Sequence, residues 1–344
     1  MKKIIALHAL FFSLLILLSG CTNGTIVNPT AEGQAFQINT YNYSDNHYLL
    51  DTIYKSNFID FMAEGMLNTP ENINRQISPD NFEVWVQTTN FTADRKFASM
   101  LIDLPSLPAS GQYNDSFYVP GQIPGKRYFG LFRKLNSSEY YVNYQAGFIG
   151  LRINIPDNDY AGVTFKQNGT GQTFGTNSAN FIQDTLVLKM IKAGNILPQT
   201  DTLAWEMKMK NVYRIPVIPI LERGFEFQVD FVDPANPTPS PSLPNGRTVL
   251  NVVGLDRFIG HGPQLGQDNY FDFLNGRTII TETGDVIFPI LRPFYDGILE
   301  ATNNGFTGGD TTLICKAIYT KLKSEASIAP NNSMYIIKGR VKNF

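Results

Sequence analysis

Cysteine and histidine are nearly missing from this chain. Its 344 residues hold two cysteines and three histidines. That scarcity removes whole classes of chemistry: a Cys/His zinc site needs spaced pairs such as Cys-x-x-Cys or His-x-x-x-His, and the sequence has neither. His8 falls in an N-terminal apolar segment, which leaves His47 and His261, each in a polar stretch that reads as loop. Excess positive charge is also missing. Lys and Arg number 28 against 30 Asp and Glu, a formal charge of −2, so the chain offers no electrostatic attraction for nucleic acid. There is no Gly-x-Ser-x-Gly elbow. The glycines of Asn168-Gly-Thr-Gly-Gln-Thr-Phe-Gly175 keep neither the Gly-x-Gly-x-x-Gly spacing nor a Gly-Lys-Ser/Thr ending, so they read as a polar loop. Carboxylate pairs can be assembled in so many ways that the sequence selects none. No catalytic residue and no cofactor is nominated, and a non-enzyme is expected.

Long apolar runs are confined to the start. Lys2 and Lys3 precede the run Ile4 to Leu18, which fits a signal-peptide core and falls short of the roughly 20 residues that span a bilayer. The run ends Leu18-Ser19-Gly20-Cys21, the pattern of a bacterial lipobox, with Cys21 as the lipidated first residue of the mature chain. One acyl chain binds a membrane only marginally, and several hold it durably. Cleavage removes two lysines and no acid, so 26 basic residues then face 30 acidic ones, a formal charge of −4. Cys315 is left without a partner in the chain. Its setting, Thr312-Leu-Ile-Cys-Lys-Ala-Ile, points to a small buried hydrophobe rather than a reactive thiol.

Residues 22 to about 48 mix Asn, Thr, Gly and Tyr without a period, and we read 21–48 as a flexible tether. Leu50, Tyr54, Phe58, Phe61, Met62 and Met66 follow helical spacing up to Gly65, which predicts a helix over 50–66. From Phe82 onward the runs are short and strand-like. Phe225-Glu-Phe-Gln-Val-Asp-Phe231 alternates strictly, and Tyr140–Tyr144 and Phe148–Ile153 flank a Gly-containing turn. The proline-rich 234–246 reads as an exposed connector, because prolines cannot donate to a ladder. The stretch Leu250–Phe294 reads as strand-like runs separated by polar turns, 312–323 as a short helix, and 333–341 as a closing strand. The expected fold is mainly β: an antiparallel β-sandwich-like module, or two, with one or two short helices. The expected layout is a signal peptide over 1–20, the tether over 21–48 and the module over 49–344.

Several strings carry a resemblance. They are Phe82-Glu-Val-Trp-Val-Gln-Thr-Thr-Asn90, Arg95 to Leu104, Leu135-Asn-Ser-Ser-Glu-Tyr140 with Gly147-Phe-Ile149, and Trp205-Glu-Met-Lys-Met-Lys-Asn-Val-Tyr213. With them come Gly254-Leu-Asp-Arg257, Phe271-Asp-Phe273, Gly284-Asp-Val-Ile-Phe-Pro289 and Met334-Tyr-Ile-Ile-Lys-Gly339. In this order they resemble blocks of SprA, the outer-membrane translocon family of Bacteroidota type IX secretion and gliding motility. The resemblance runs over roughly residues 49 to 340. Departures include Lys208 in place of a family Met, Pro105 in place of Gly, and fewer carboxylates in 260–267. The family's 36-stranded barrel needs far more chain at ~9–11 residues per membrane strand, so its pore does not carry over.

The resemblance implies an outer-membrane lipoprotein that works by protein–protein contact in or near that apparatus. A glycan- or ligand-binding lipoprotein is the alternative. Bacteroidota lipoproteins sent to the cell surface often carry acidic residues just after the Cys. Thr22-Asn-Gly-Thr-Ile-Val-Asn-Pro29 has none, which leans toward a periplasm-facing anchor. Asp256, Asp268 and Asp272 are the metal candidates, since calcium favours oxygen-rich loops. They lack the Asp-x-Asp-x-Asp-Gly spacing, so turn stabilisation is the stronger reading. Trp85 and Trp205 are weighed as sugar platforms, and their apolar neighbours favour core packing.

Overall fold

Strand outweighs helix in the computed structural model, 31% against 19%, and the sheets are mainly antiparallel. The structure describes residues 25–26, 33–90, 95–180, 185–260, 264–303 and 308–342. The signal segment 1–20, Cys21 and His261 lie outside these residues. Two large hydrophobic cores divide the fold, one built mostly from residues 48–212 and the other from 36–43 and 213–341.

The first core is centred on a sheet that closes on itself. Glu83–Gln87 pairs with Ala161–Lys166, which pairs with Thr185–Lys192, then Arg95–Leu101, then Arg127–Lys134, which returns to Glu83–Gln87. All these contacts are antiparallel except that between Thr185–Lys192 and Arg95–Leu101. The strands therefore form a five-stranded barrel, more closed than two facing layers. At Gly162 a side chain would meet Met100 Sδ at 2.9 Å and the Lys189 carbonyl oxygen at 3.0 Å, so glycine permits the tight closure. Along Arg95–Leu101, Ala98, Ser99 and Met100 are all fully buried while Phe97 is exposed, so the middle of this strand is covered on both faces.

Helix Tyr54–Glu64 lies against this barrel. Tyr54, Phe58, Phe61 and Met62 form its buried stripe, with Tyr54 edge-on to Phe165 at 6.1 Å and Phe58 edge-on to Phe148 at 5.9 Å. Gly65, at φ 82°, stops the helix and donates its N–H to the Phe61 carbonyl. Leu50 is buried ahead of the helix and Met66, past the stop, is exposed, which shortens the predicted 50–66. The helices number seven among the described residues, most of them a single turn, rather than one or two.

The second core packs on a sheet whose central strand, Tyr335–Val341, runs between Gln34–Asn39 and Phe225–Asp233. The tether reading is corrected here: Gln34–Asn39 alternates Phe36 and Ile38 into the core, and His47–Leu49 is also a strand. The proline-rich connector is corrected too, since Asn236–Ser240 pairs with Phe225–Asp233 at the sheet edge, where ladder donors are dispensable. The run after Thr248 is a helical turn, Val249–Val252, not a strand. Beyond it, Ile279–Ile280 and Asp285–Ile287 form a hairpin joined by Val212–Arg214. The closing strand and the hairpin Tyr140–Asn143/Phe148–Leu151 stand where the sequence put them.

Candidate binding groove

The segment after Gly254 folds into a loop pinned by its own carboxylates. Asp272 accepts the backbone N–H of Arg257 at 2.7 Å and that of Phe258 at 3.3 Å. Asp256 accepts from Asp268 N at 3.0 Å and Asn269 N at 3.2 Å. Asp268 accepts from Gly260 N at 2.7 Å and Tyr270 N at 2.9 Å. The three aspartates considered for calcium thus do the work of Asx turns, binding amides. Among the described residues no three Asp, Glu, His or Cys side chains group as a metal site. Burial raises the Asp256 carboxyl above its usual range. It pushes Asp272 up to about 6, against the two amide hydrogen bonds and with help from neighbouring Asp256 and Asp268.

This loop stands over one end of the second sheet and encloses with it a groove of about 920 Å³. Phenylalanines crowd the inside. Phe36 stacks on Phe225 at 6.4 Å and 13°, Phe227 lies 4.9 Å from Phe271, and Phe273 meets Phe225 edge-on at 5.6 Å. Gly339 makes room for them. It pairs with both Phe36 and Phe227, and a Cβ there would sit 2.0 Å from the Glu226 carbonyl oxygen and 2.5 Å from the Phe36 ring. Glu222, Glu226, Asp268, Lys338 and Arg340 also line the groove. On the lip, Tyr270 is 74% exposed. Rings with accessible faces beside mixed charge suit an apolar or ring-bearing ligand whose polar groups reach the rim. Among the described residues, this lining holds no histidine, serine or cysteine.

A second polar site has no local signature in the sequence. His47 is not in a loop: it is fully buried on strand His47–Leu49. Its Nδ1 is hydrogen-bonded to Ser44 Oγ and its Nε2 to Tyr141 Oη, both at 2.7 Å. Nε2 also lies 3.3 Å from Asp285 Oδ2. Arg214 grips Asp285 from the far side with Nε at 2.8 Å and Nη2 at 3.1 Å, and Thr283 and Tyr141 donate hydroxyls to it. Burial alone would raise the Asp285 carboxyl. His47 and Arg214 outweigh burial and hold it well below the usual carboxylate range. Ser, His and Asp meet here, yet Asp285 is clamped by Arg214 and Ser44 lines neither this groove nor the cavity at Trp205. The cluster is a polar node between the two cores, joining His47–Leu49 and Tyr140–Asn143 to Val212–Arg214 and Asp285–Ile287.

Both tryptophans are buried, as their apolar neighbours favoured, and neither stands as an exposed platform. Trp85 donates its indole N–H to Glu83 at 3.1 Å, and Trp205, on helix Thr202–Met207, donates to the Tyr319 carbonyl at 2.7 Å. Cys315 is buried, its thiol within 3.0 Å of the Asn331 carbonyl, and burial pushes it up to about 12. No family model matches the chain. No curated protein matches it either.

Proposed function

We propose that this chain is a non-enzymatic contact module, lipidated at Cys21 and held at the outer membrane. It acts by protein–protein contact in or beside the type IX secretion and gliding apparatus, as its resemblance to SprA implies. The observation that supports a binding role is the groove: five phenylalanines inside, mixed charge at the rim, and Tyr270 exposed on the lip. Apolar anchors entering a preformed pocket with a polar rim are how protein contacts gain most of their energy.

A photo-crosslinking residue placed at position 270 in living cells tests the reading, with the same probe at exposed Ile328 as the reference site. Adducts with a translocon component from 270 and not from 328 are expected. Equal or absent adducts from 270 would count against contact through this groove. A Cys21→Ala chain should leave the membrane fraction.

Ligand binding is the second reading, favoured by the near-parallel Phe36 and Phe225 rings below an exposed Tyr270. Oligosaccharide binding that Tyr270→Ala weakens at least tenfold would move the assignment there, since one stacked ring contributes on the order of 1 kcal/mol or more.

A further inference from the structure

Five segments distant in sequence close around another cavity, of about 470 Å³: residues 43–48, Asp157, 192–197, 204–208 at the end of helix Thr202–Met207, and 322–324. Three lysines meet there. Lys208 Nζ lies 2.7 Å from Asp45 Oδ1, and Lys323 pairs with Asp45 Oδ2. Both ammonium groups also stand over the Tyr43 ring, at 5.6 and 4.5 Å from its centre. Lys192 donates to three carbonyl oxygens, of Pro156 at 2.8 Å, Asp157 at 3.2 Å and Asp159 at 2.6 Å. Burial pulls the Lys192 amine down to about 8 against the attraction of Asp157, and the charge of Lys208 adds to the fall. The lining thus carries three ammonium groups against the carboxylates of Asp45 and Asp157, while Ile196, Leu197, Ala204 and Trp205 supply an apolar wall.

Asp45 is the informative residue. Its side chain is 46% exposed, so it can turn into water, yet it sits between two half-buried ammonium groups. That is the position an external oxyanion would take, and Asp45 acts as its competitor within the chain. We propose that this cavity binds an oxyanion carried on an apolar body, a carboxylate or phosphate monoester. Lys208 and Lys323 are its counter-ions, and Trp205, Ile196 and Leu197 cover the apolar part. Charge-assisted hydrogen bonds to two ammonium groups would fix the anion, and the apolar wall, buried at Ala204 and Trp205 and exposed at Leu197, would favour an anion that carries an apolar body over a small inorganic ion. The cavity shares no lining residue with the aromatic groove, so the two assignments stand or fall separately.

The full chain contains two tryptophans, and Trp85 is enclosed in the barrel, so the emission of Trp205 reports on this cavity and on the neighbouring one at Lys210, and Lys323, which lines only the first, tells the two apart. Titration with phenyl phosphate and with benzoate is compared with neutral benzyl alcohol. A saturable change is expected with at least one of the anions and not with the alcohol. The Lys208→Gln/Lys323→Gln double variant should weaken it at least tenfold. Asp45→Asn, which removes the competitor, should tighten it several-fold, and a gain of affinity cannot arise from misfolding. No saturable change with either anion, equal binding of benzyl alcohol, or no tightening in Asp45→Asn would each overturn the proposal.

Discussion

Asp285→Ala is the most informative single change, because one carboxylate organises the polar node between the two cores. The side chain is fully buried and receives Arg214 twice, Thr283, Tyr141 and His47. Truncation leaves a guanidinium, an imidazole and two hydroxyls facing a void. Removing one partner of a buried ion pair costs about 3–5 kcal/mol, mostly as the uncompensated charge left behind. At roughly 1.5 °C per kcal/mol for a chain of 344 residues, the melting temperature should fall by roughly 4–8 °C. Arg214→Met should cost at least as much, since it strands a carboxylate that is fully buried, whereas Asp285→Ala leaves a guanidinium that is 31% exposed.

Calorimetry across pH adds an independent check. The Asp285 carboxyl is held below its ordinary value of 3.8, so its contribution is fully present above about pH 4 and is lost as pH falls through the folded-state value. The wild-type melting temperature should therefore drop on acidification through that window, and the Ala variant should drop less. A loss under about 1 kcal/mol, the scale of an ordinary surface change, together with an unchanged acid limb, would refute the view that this node ties the halves together.

Three further outcomes follow from geometry already described. Gly339→Ala drives a Cβ into the Glu226 carbonyl oxygen and should cost at least ~3 kcal/mol, read as lost soluble yield and melting temperature. Gly121→Ala, whose Cβ meets nothing within 4 Å, should stay within ~0.5 kcal/mol of the parent. Asp272, raised from 3.8 to about 6 in the fold, gives a contribution that is complete below pH 3.8 and lost as pH rises through about 6. Amide exchange at Arg257 and Phe258 should therefore quicken, after allowance for base catalysis, across that interval in the wild type and not in Asp272→Asn.

What the sequence disclosed and what it hid have separate physical causes. Phe225–Asp233 and the hairpin at Gly147 were legible because alternation and a turn are local signals. Barrel closure was not, because it rests on a parallel pairing between Arg95–Leu101 and Thr185–Lys192 and on Glu83–Gln87 meeting Ala161–Lys166, partners that periodicity cannot name. Gln34–Asn39 was within reach: Phe36 and Ile38 alternate with polar residues, but polar composition around them masked a strand flanked by the chain's last one. The aspartates of the groove loop were weighed as calcium ligands and as turn stabilisers; their carboxylates accept backbone amides, several of them from residues 8 to 15 positions away, which no local pattern names. His47 was unreadable, since nothing near it in sequence announces Asp285 or Tyr141. The two lysines at Asp45 likewise come from separate segments, more than 100 residues apart.

Buried charge recurs where distant segments meet. Glu83 in the barrel takes the Trp85 indole, the Lys134 ammonium and the Ser178 hydroxyl and amide, and Asp230 on the second sheet pairs with Lys338. Such pairs add little net stability over apolar residues of the same volume, because their desolvation offsets their attraction. Their value is selective: an apolar interface tolerates several registers, whereas an ion pair displaced by one residue leaves charges unpaired in a dry interior. The node around Asp285 meets both conditions, being buried and shared between strands of the two cores. Replacing His47, Asp285 and Arg214 together by Leu, Leu and Met should therefore keep a melting temperature far closer to wild type than Asp285→Ala does. Exchange of the Ser44 and Met209 amides, which bond across the junction to Val212 and His47, should quicken at least tenfold. If both amides stay as protected as in the wild type, shape and apolar burial alone set the docking of the two cores, and the charges are dispensable to it.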